Sequence, residues 1–240
     1  MKIHTLHYIE GAKQAKGIAV IIDVFRAFTM ACYMSDQDAK RIIPVGDLAH
    51  AHRLKAKYPQ SVLIGERGGT ILPGFDYGNS PAQIKGVSFA EKTVIHTTSA
   101  GTQGLVHAGQ ADEVLTGSFV NAGAIVSYIQ QKAPAEVSLV CMGWGGQQEA
   151  DEDTLCAAFL RDRLLGKETR FAEISAYLQT ESKTESFLRL ANDPSAPPED
   201  FHYCMQLDAF PFVLKANWHP ENEHLQLERI PVEQQVSTSG

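Results

Sequence analysis

No run in this sequence approaches the ~18 consecutive apolar residues that a membrane-spanning helix needs, and the opening Met1-Lys2-Ile3-His4 leads into no basic-then-apolar segment. The expectation is a cytoplasmic protein with no membrane partner. Basic residues are in short supply, 21 against 28 acidic, for a formal net charge of -7. A nucleic-acid surface needs clustered Lys and Arg to displace condensed counterions, so nucleic acid is not an expected partner. Cysteine is scarce too. Cys32, Cys141, Cys156 and Cys204 stand far apart, without the paired spacing of zinc or thioredoxin-type sites, and read as reduced, mostly buried thiols. An acidic chain that binds an anion must do so with a few local arginines, a metal ion and backbone N–H groups.

What is present is an ordinary globular balance, 44% hydrophobic and 20% charged residues, with no internal repeat. Apolar runs of strand length over 18–24, 41–45, 61–65, 93–97, 113–116 and 137–142 alternate with helical-period segments over 25–36, 48–58, 101–108, 119–132 and 153–165. That alternation predicts a three-layer α/β/α sandwich around a largely parallel, or mixed, central sheet. Residues 167–200 read as a peripheral helical addition broken at Asn192-Asp193-Pro194-Ser195-Ala196-Pro197-Pro198. One α/β domain over 1–220, with a polar tail over 221–240 that ends frayed, is the expected organisation.

Ligands of open α/β sheets sit outside the carboxyl ends of the strands, so the residues following each predicted strand carry the functional question. These are Asp23-Val24-Phe25-Arg26, Gly65-Glu66-Arg67-Gly68-Gly69, Thr97-Thr98-Ser99-Ala100-Gly101-Thr102, and Gly143-Trp144-Gly145-Gly146 followed by Asp151-Glu152-Asp153. Arg26 and Arg67 offer the planar fork that grips phosphate oxygens. Asp23, Glu66, Glu152 and Asp153 are hard oxygen ligands of the kind Mg²⁺ prefers. The small residues from Thr97 to Thr102 suit a backbone cradle for an anion at a helix N-terminus. Each has a plainer reading: Asp23 as a helix cap, Arg67 with Glu66 as a surface ion pair, and Asp151 to Asp153 as an acidic first turn.

Three familiar phosphatase or phosphate-binding devices are missing. Cys141 has Gln147 where a cysteine phosphatase loop needs Arg; Phe25 stands where a haloacid-dehalogenase pair needs a second Asp; no Gly-Lys-Ser or Gly-Lys-Thr loop occurs. His50 and His52 are two apart on a predicted helix and point in different directions, so they should not share a metal.

Gly74-Phe75-Asp76-Tyr77-Gly78-Asn79-Ser80-Pro81 is by itself a turn-rich loop. Together with Asp23-Val24-Phe25-Arg26-Ala27 and Gly65-Glu66-Arg67 it resembles the ordered signature of the 2-phosphosulfolactate phosphatase (ComB-like) family. Further matches follow in order: Thr97-Thr98 with Gly101-Thr102, Gly117 to Ala122, Glu152 to Ala157, and Phe201 to Cys204 leading to Asp208. The resemblance implies an α/β/α fold and Mg²⁺-dependent hydrolysis of 2-phosphosulfolactate to sulfolactate and phosphate, on a route to coenzyme M. It carries Asp23, Arg26, Glu66, Arg67, Asp76, Asn79, Thr97, Thr98, Gly101, Thr102, Glu152 and Asp153 over as matching positions, with Ser99 inside the same loop. We read Arg26 and Arg67 as anion clamps, Asp23 with Glu66 or Asp153 as Mg²⁺ ligands, and a remaining carboxylate as the base.

The chain departs from the family where Ser99-Ala100 and Gln103 stand in place of Asn and Arg, and Phe28 in place of Thr. Losing an ionic hydrogen bond weakens recognition of a doubly anionic ligand by ~1.5–3 kcal/mol, which points to a substrate without the sulfonate. The competing expectation is a non-catalytic binder of a small anionic metabolite. A symmetric homodimer is left open.

Overall fold

The computed structural model describes residues 1–193 and 196–233. Among the described residues the chain runs β1 (Lys2–His7), α1 (Tyr8–Gln14), β2 (Ile18–Ile22), α2 (Ala27–Asp36), β3 (Arg41–Pro44), α3 (Leu48–Lys57), β4 (Val62–Arg67) and β5 (Thr70–Ile71). It continues with β6 (Thr93–Thr97), α4 (Gly101–His107), β7 (Glu113–Gly117), α5 (Ala122–Lys132), β8 (Glu136–Cys141), α6 (Asp151–Leu164), α7 (Phe171–Thr180), α8 (Glu185–Asn192), α9 (Glu199–Cys204), β9 (Phe212–His219) and β10 (His224–Pro231). The expected strands and helices form, most with ends shifted by a residue or two.

The sheet order is β1-β8-β2-β7-β9-β10-β3-β6-β4-β5. Neighbours within β1-β8-β2-β7 and within β3-β6-β4 are parallel. The β9–β10 hairpin lies between these blocks, antiparallel to both and joined to them at Leu115↔Lys215 and Leu227↔Ile42. The sheet is therefore mixed and largely parallel, with helices on both faces.

Three antiparallel steps separate β7 from β3, so in a flat sheet the carboxyl ends of β2 and β6 would lie on opposite edges. Five inter-strand spacings, about 24 Å, would also part them. Yet the Gly101 amide, four residues past β6, donates to Asp23 Oδ2 at 2.8 Å. The sheet must therefore curl on itself about the hairpin, as strong right-handed twist allows.

Burial agrees. One core packs Ala19, Ile21 and Val140 of the first block with Ile42, Ile64 and Val94 of the second, around α2 and α4 on the concave face. Alternate residues face outward, Val20 and Leu139 against α5 and α6, Ile43 and Ile95 against α3. The period of two along each strand is what lets both faces be apolar.

Two expectations need correction. The polar tail over 221–240 instead supplies β10, deep in the sheet order; its expected frayed end, residues 236–240, lies outside the described residues. The segment 167–200 is helical as expected, but α8 and α9 reach the functional cleft rather than staying at the periphery. Of its breaker, Pro194 and Ser195 lie outside the described residues.

Candidate active site

The curl brings the exits of β2, β4, β6 and β8 to one cleft, lined by Asp23, Arg26, Glu66, Glu152 and Asp153 with Asn79, Ser99 and the Gly143–Gly145 turn around them. Asp23 follows β2 directly. Its Oδ1 accepts from the Ala27 amide at 3.1 Å and its Oδ2 from Gly101, so one carboxylate caps α2 and α4. Asp153, in the first turn of α6, accepts from the Val24 amide at 2.9 Å and the Gly143 amide at 2.8 Å. It thereby holds the β2 and β8 exits together. Gly143 has φ +65°, and a Cβ there would lie 1.9 Å from the Gln148 carbonyl oxygen, so only glycine fits.

Glu66 ends β4 with both oxygens engaged. Oε1 accepts from the Ser99 amide (2.7 Å); Oε2 accepts from the Gly69 amide (2.7 Å) and the Ser99 hydroxyl (2.9 Å). Arg26 donates through Nη1 to Asp200 Oδ2 at 2.7 Å. Asp200, fully buried, also accepts from Ser80 Oγ (2.8 Å) and the Ala82 amide (2.9 Å). Among the described lining residues Arg26 is the sole cationic side chain, facing four carboxylates.

Burial pushes the Asp23 carboxyl up to about 6, with the Glu66 charge adding and the Ala27 and Gly101 amides opposing. Burial pushes Glu152 up to about 7, opposed by a hydrogen bond from Ser186. Burial likewise lifts Asp153 well above the usual carboxylate range, and the charges of Asp23 and Glu152 add to it. Glu152 is 1% exposed, and its Oε2 has no hydrogen-bond partner. Buried, mutually repelling carboxylates with an orphaned oxygen are a charge distribution that a bound cation would balance.

This donor set fits Mg²⁺ in kind. Among the described residues no group of three or more His, Cys, Asp or Glu side chains is placed to hold a metal ion, but Mg²⁺ commonly takes one or two carboxylates and completes its octahedron with waters and phosphate oxygens. The cleft, about 40 Å³, has room for an ion or a few waters.

Other predicted residues lie elsewhere. Arg67 does not line the cleft; its guanidinium donates to Thr97 Oγ1 (2.8 Å) and the Gly46 (3.2 Å) and Glu66 (2.6 Å) carbonyls. Asp76 is exposed and accepts from the Leu63 amide at 2.8 Å, as a loop staple. Thr98 and Thr102 cap each other: each backbone amide donates to the other's hydroxyl, at 2.9 and 3.1 Å. The amides of Thr98, Ser99, Gly101 and Thr102 are thus given to the protein's own acceptors, and the expected anion cradle is filled by Glu66, Asp23 and the two threonine hydroxyls.

Asn79 does line the cleft, with Oδ1 3.3 Å from His96 Nε2. The departures at 28 and 103 face away from it. Phe28 is buried in the concave core, and Gln103 Nε2 donates to the Gly46 carbonyl. Asp200 and Ser186 had no signal in the sequence beyond their place in a polar helical segment. A larger cavity of about 800 Å³ near Leu105, Val106, Trp218 and Leu225 gathers none of the acid cluster.

Fold and site together define an α/β enzyme with a compact, acid-lined cleft beyond its strand ends. Residues 3–218 match the family described as 2-phosphosulpholactate phosphatase, and the chain belongs to that family, one of phosphoric monoester hydrolases. A probable 2-phosphosulfolactate phosphatase of Carboxydothermus hydrogenoformans is 32% identical over 246 residues, 97% of this chain and 98% of the relative. A relative of the same description from Caldicellulosiruptor saccharolyticus is 38% identical over 170 residues, 68% and 69% of the two chains. One from Picosynechococcus is 31% identical over 248 residues, 91% and 100%. No helix among the described residues is long and apolar enough to cross a membrane.

Proposed function

We propose that this protein is a Mg²⁺-dependent phosphatase that hydrolyses 2-phosphosulfolactate, or a related phosphorylated hydroxy acid, to the free hydroxy acid and phosphate. The observation that carries the reading is the meeting of Asp23, Arg26, Glu152 and Asp153 in one buried cleft, with Glu152 Oε2 left unpaired. Asp23 and Asp153 would hold the metal, since backbone amides already fix both carboxylates in orientation. Bound there, Mg²⁺ supplies positive charge to the phosphoryl oxygens.

Arg26 binds the same oxygens; Asp200 uses Nη1 and fixes the plane of the fork, leaving donors for phosphate. Glu152 Oε2 accepts a proton from the attacking water as the new P–O bond forms. The ester P–O bond then breaks, and the departing alkoxide oxygen takes a proton from Glu152 or solvent. Glu66 joins the β4 and β6 exits and keeps Ser99 in place. Four free, buried cysteines support placement in the reducing cytoplasm, with no nucleic-acid partner.

The test is phosphate release from 2-phosphosulfolactate, with and without EDTA. Activity that EDTA abolishes, and that Asp23→Asn lowers by orders of magnitude in a folded protein, supports the reading. Tight binding without turnover at any Mg²⁺ concentration would instead favour a metabolite-binding protein.

A further inference from the structure

At about 40 Å³ the inner cleft is too small for a whole phosphorylated hydroxy acid, so the part of the molecule beyond the phosphate must lie outside it. One wall of the cleft is α8, whose Ser186 lines it. One turn further on stands Arg189. Its Cζ lies 5.2 Å from the Trp144 ring centroid, and a Cβ on Gly69 would come within 3.1 Å of its Nε and 3.3 Å of its Nη2. Trp144 and Gly69 both line the inner cleft.

On its other side Arg189 lines an outer cleft of about 360 Å³ with Thr70, Glu185, Leu188, Asn192 and Asp193. The guanidinium thus stands at the partition between the two spaces. Its Nε is buried with no hydrogen-bond partner, and Nη2 lies 3.6 Å from Asp193 Oδ2, longer than a hydrogen bond. The side chain is 37% exposed, so a guanidinium held by one long ion pair keeps donors from which a ligand oxyanion can take a charge-assisted bond. Glu185 and Asp193 oppose an anion in the outer cleft, and Gly69 and the Trp144 ring close the Nε side, so a ligand oxyanion would meet the exposed part of the guanidinium away from those two carboxylates.

We propose that Arg189 forms a second anion subsite beside the phosphate cleft, one that receives the carboxylate or sulfonate of the substrate. The enzyme then selects phosphomonoesters that carry a further oxyanion a few atoms from phosphorus. This rests on the phosphatase reading above. It also answers the departure at position 103, because Gln103 faces away from the cleft and the cation is supplied by α8 instead.

The experiment compares wild type, Arg189→Ala and Arg189→Lys on 2-phosphosulfolactate, 2-phospholactate and isopropyl phosphate. Arg189→Ala should raise KM for 2-phosphosulfolactate about 10- to 100-fold, the loss of one ionic hydrogen bond, with kcat within about threefold and partial recovery in Arg189→Lys. For isopropyl phosphate kcat/KM should change less than about threefold. A KM effect on 2-phospholactate assigns the subsite to the carboxylate, and its absence assigns it to the sulfonate.

An equal loss on all three esters marks Arg189 as a mere support of α8 and overturns the proposal, as does an unchanged KM for 2-phosphosulfolactate. If wild type hydrolyses none of the esters, the phosphatase reading fails and calorimetric titration decides the subsite separately. Sulfolactate binding that weakens at least about tenfold in Arg189→Ala, with inorganic phosphate unaffected, then supports it. Equal affinities, or no sulfolactate binding to wild type, overturns it.

Discussion

Replacing Asp200 by Ala removes the partner of Arg26 at a site largely shielded from water, since Asp200 is 0% and Arg26 8% exposed. Breaking a buried ion pair by deleting one member costs about 3–5 kcal/mol, because the remaining charge stays desolvated. For a chain of this size that corresponds to a fall in Tm of about 6–20 °C. The Ser80 hydroxyl and Ala82 amide also lose their acceptor, so the single variant by itself mixes three losses.

The double variant Arg26→Met with Asp200→Ala separates them. It shares the same empty position at 200 and differs only in lacking the stranded guanidinium, so it should recover at least about 2 kcal/mol relative to Asp200→Ala. Urea unfolding at neutral pH reads both values, and phosphate release should be lost in the double variant regardless of its stability. A double variant no more stable than Asp200→Ala would refute the claim that an unpaired Arg26 charge sets the cost.

Three further outcomes follow from the same geometry. Glu152→Gln should lower kcat by about 10²–10⁴ through loss of the proton acceptor, without lowering Tm; a wild-type rate excludes that role. Gly101→Ala should destabilise the fold by about 1–3 kcal/mol and impair activity, because its Cβ would meet Ala27 Cβ and Asp23 Oδ2, each at 2.8 Å; an unaltered melting curve contradicts the close approach. Burial, and then the Arg67 charge, lowers His96 to about 3, so the folded state keeps a neutral imidazole while the unfolded chain takes up a proton below its ordinary 6.5. Its contribution is present above pH 6.5 and lost as pH falls toward 3; between 6.5 and 5 wild type should lose about 2 kcal/mol more than His96→Gln, and equal losses would refute this.

The sequence by itself determined the strand and helix types wherever burial is two-sided. Val20, Ile21 and Ile22, or Leu139 and Val140, have no polar alternative, and the segments between them carry a helical period. It determined the chemical kinds in the site as well: Asp23, Glu66, Glu152, Asp153 and Arg26 stand where strands end. β1 and the β9–β10 hairpin escaped notice because their residues are half exposed and the strands they join, β8 for β1 and β7 with β3 for the hairpin, lie far along the chain; the alternation of Lys215, Asn217 and Glu228 with apolar neighbours means little until those strands are present.

Tertiary structure alone decided which of those groups meet. Arg67 and Arg26 look alike as residues following strands, but one is consumed by carbonyls and Thr97 while the other faces the cleft. Asp200 and Arg189 became functional candidates only when the curled sheet set α9 behind Arg26 and α8 beside Trp144. The physical reason is range. Backbone preference and burial pattern act over a few residues, whereas the charge balance of a buried cleft depends on groups up to 174 positions apart in the chain.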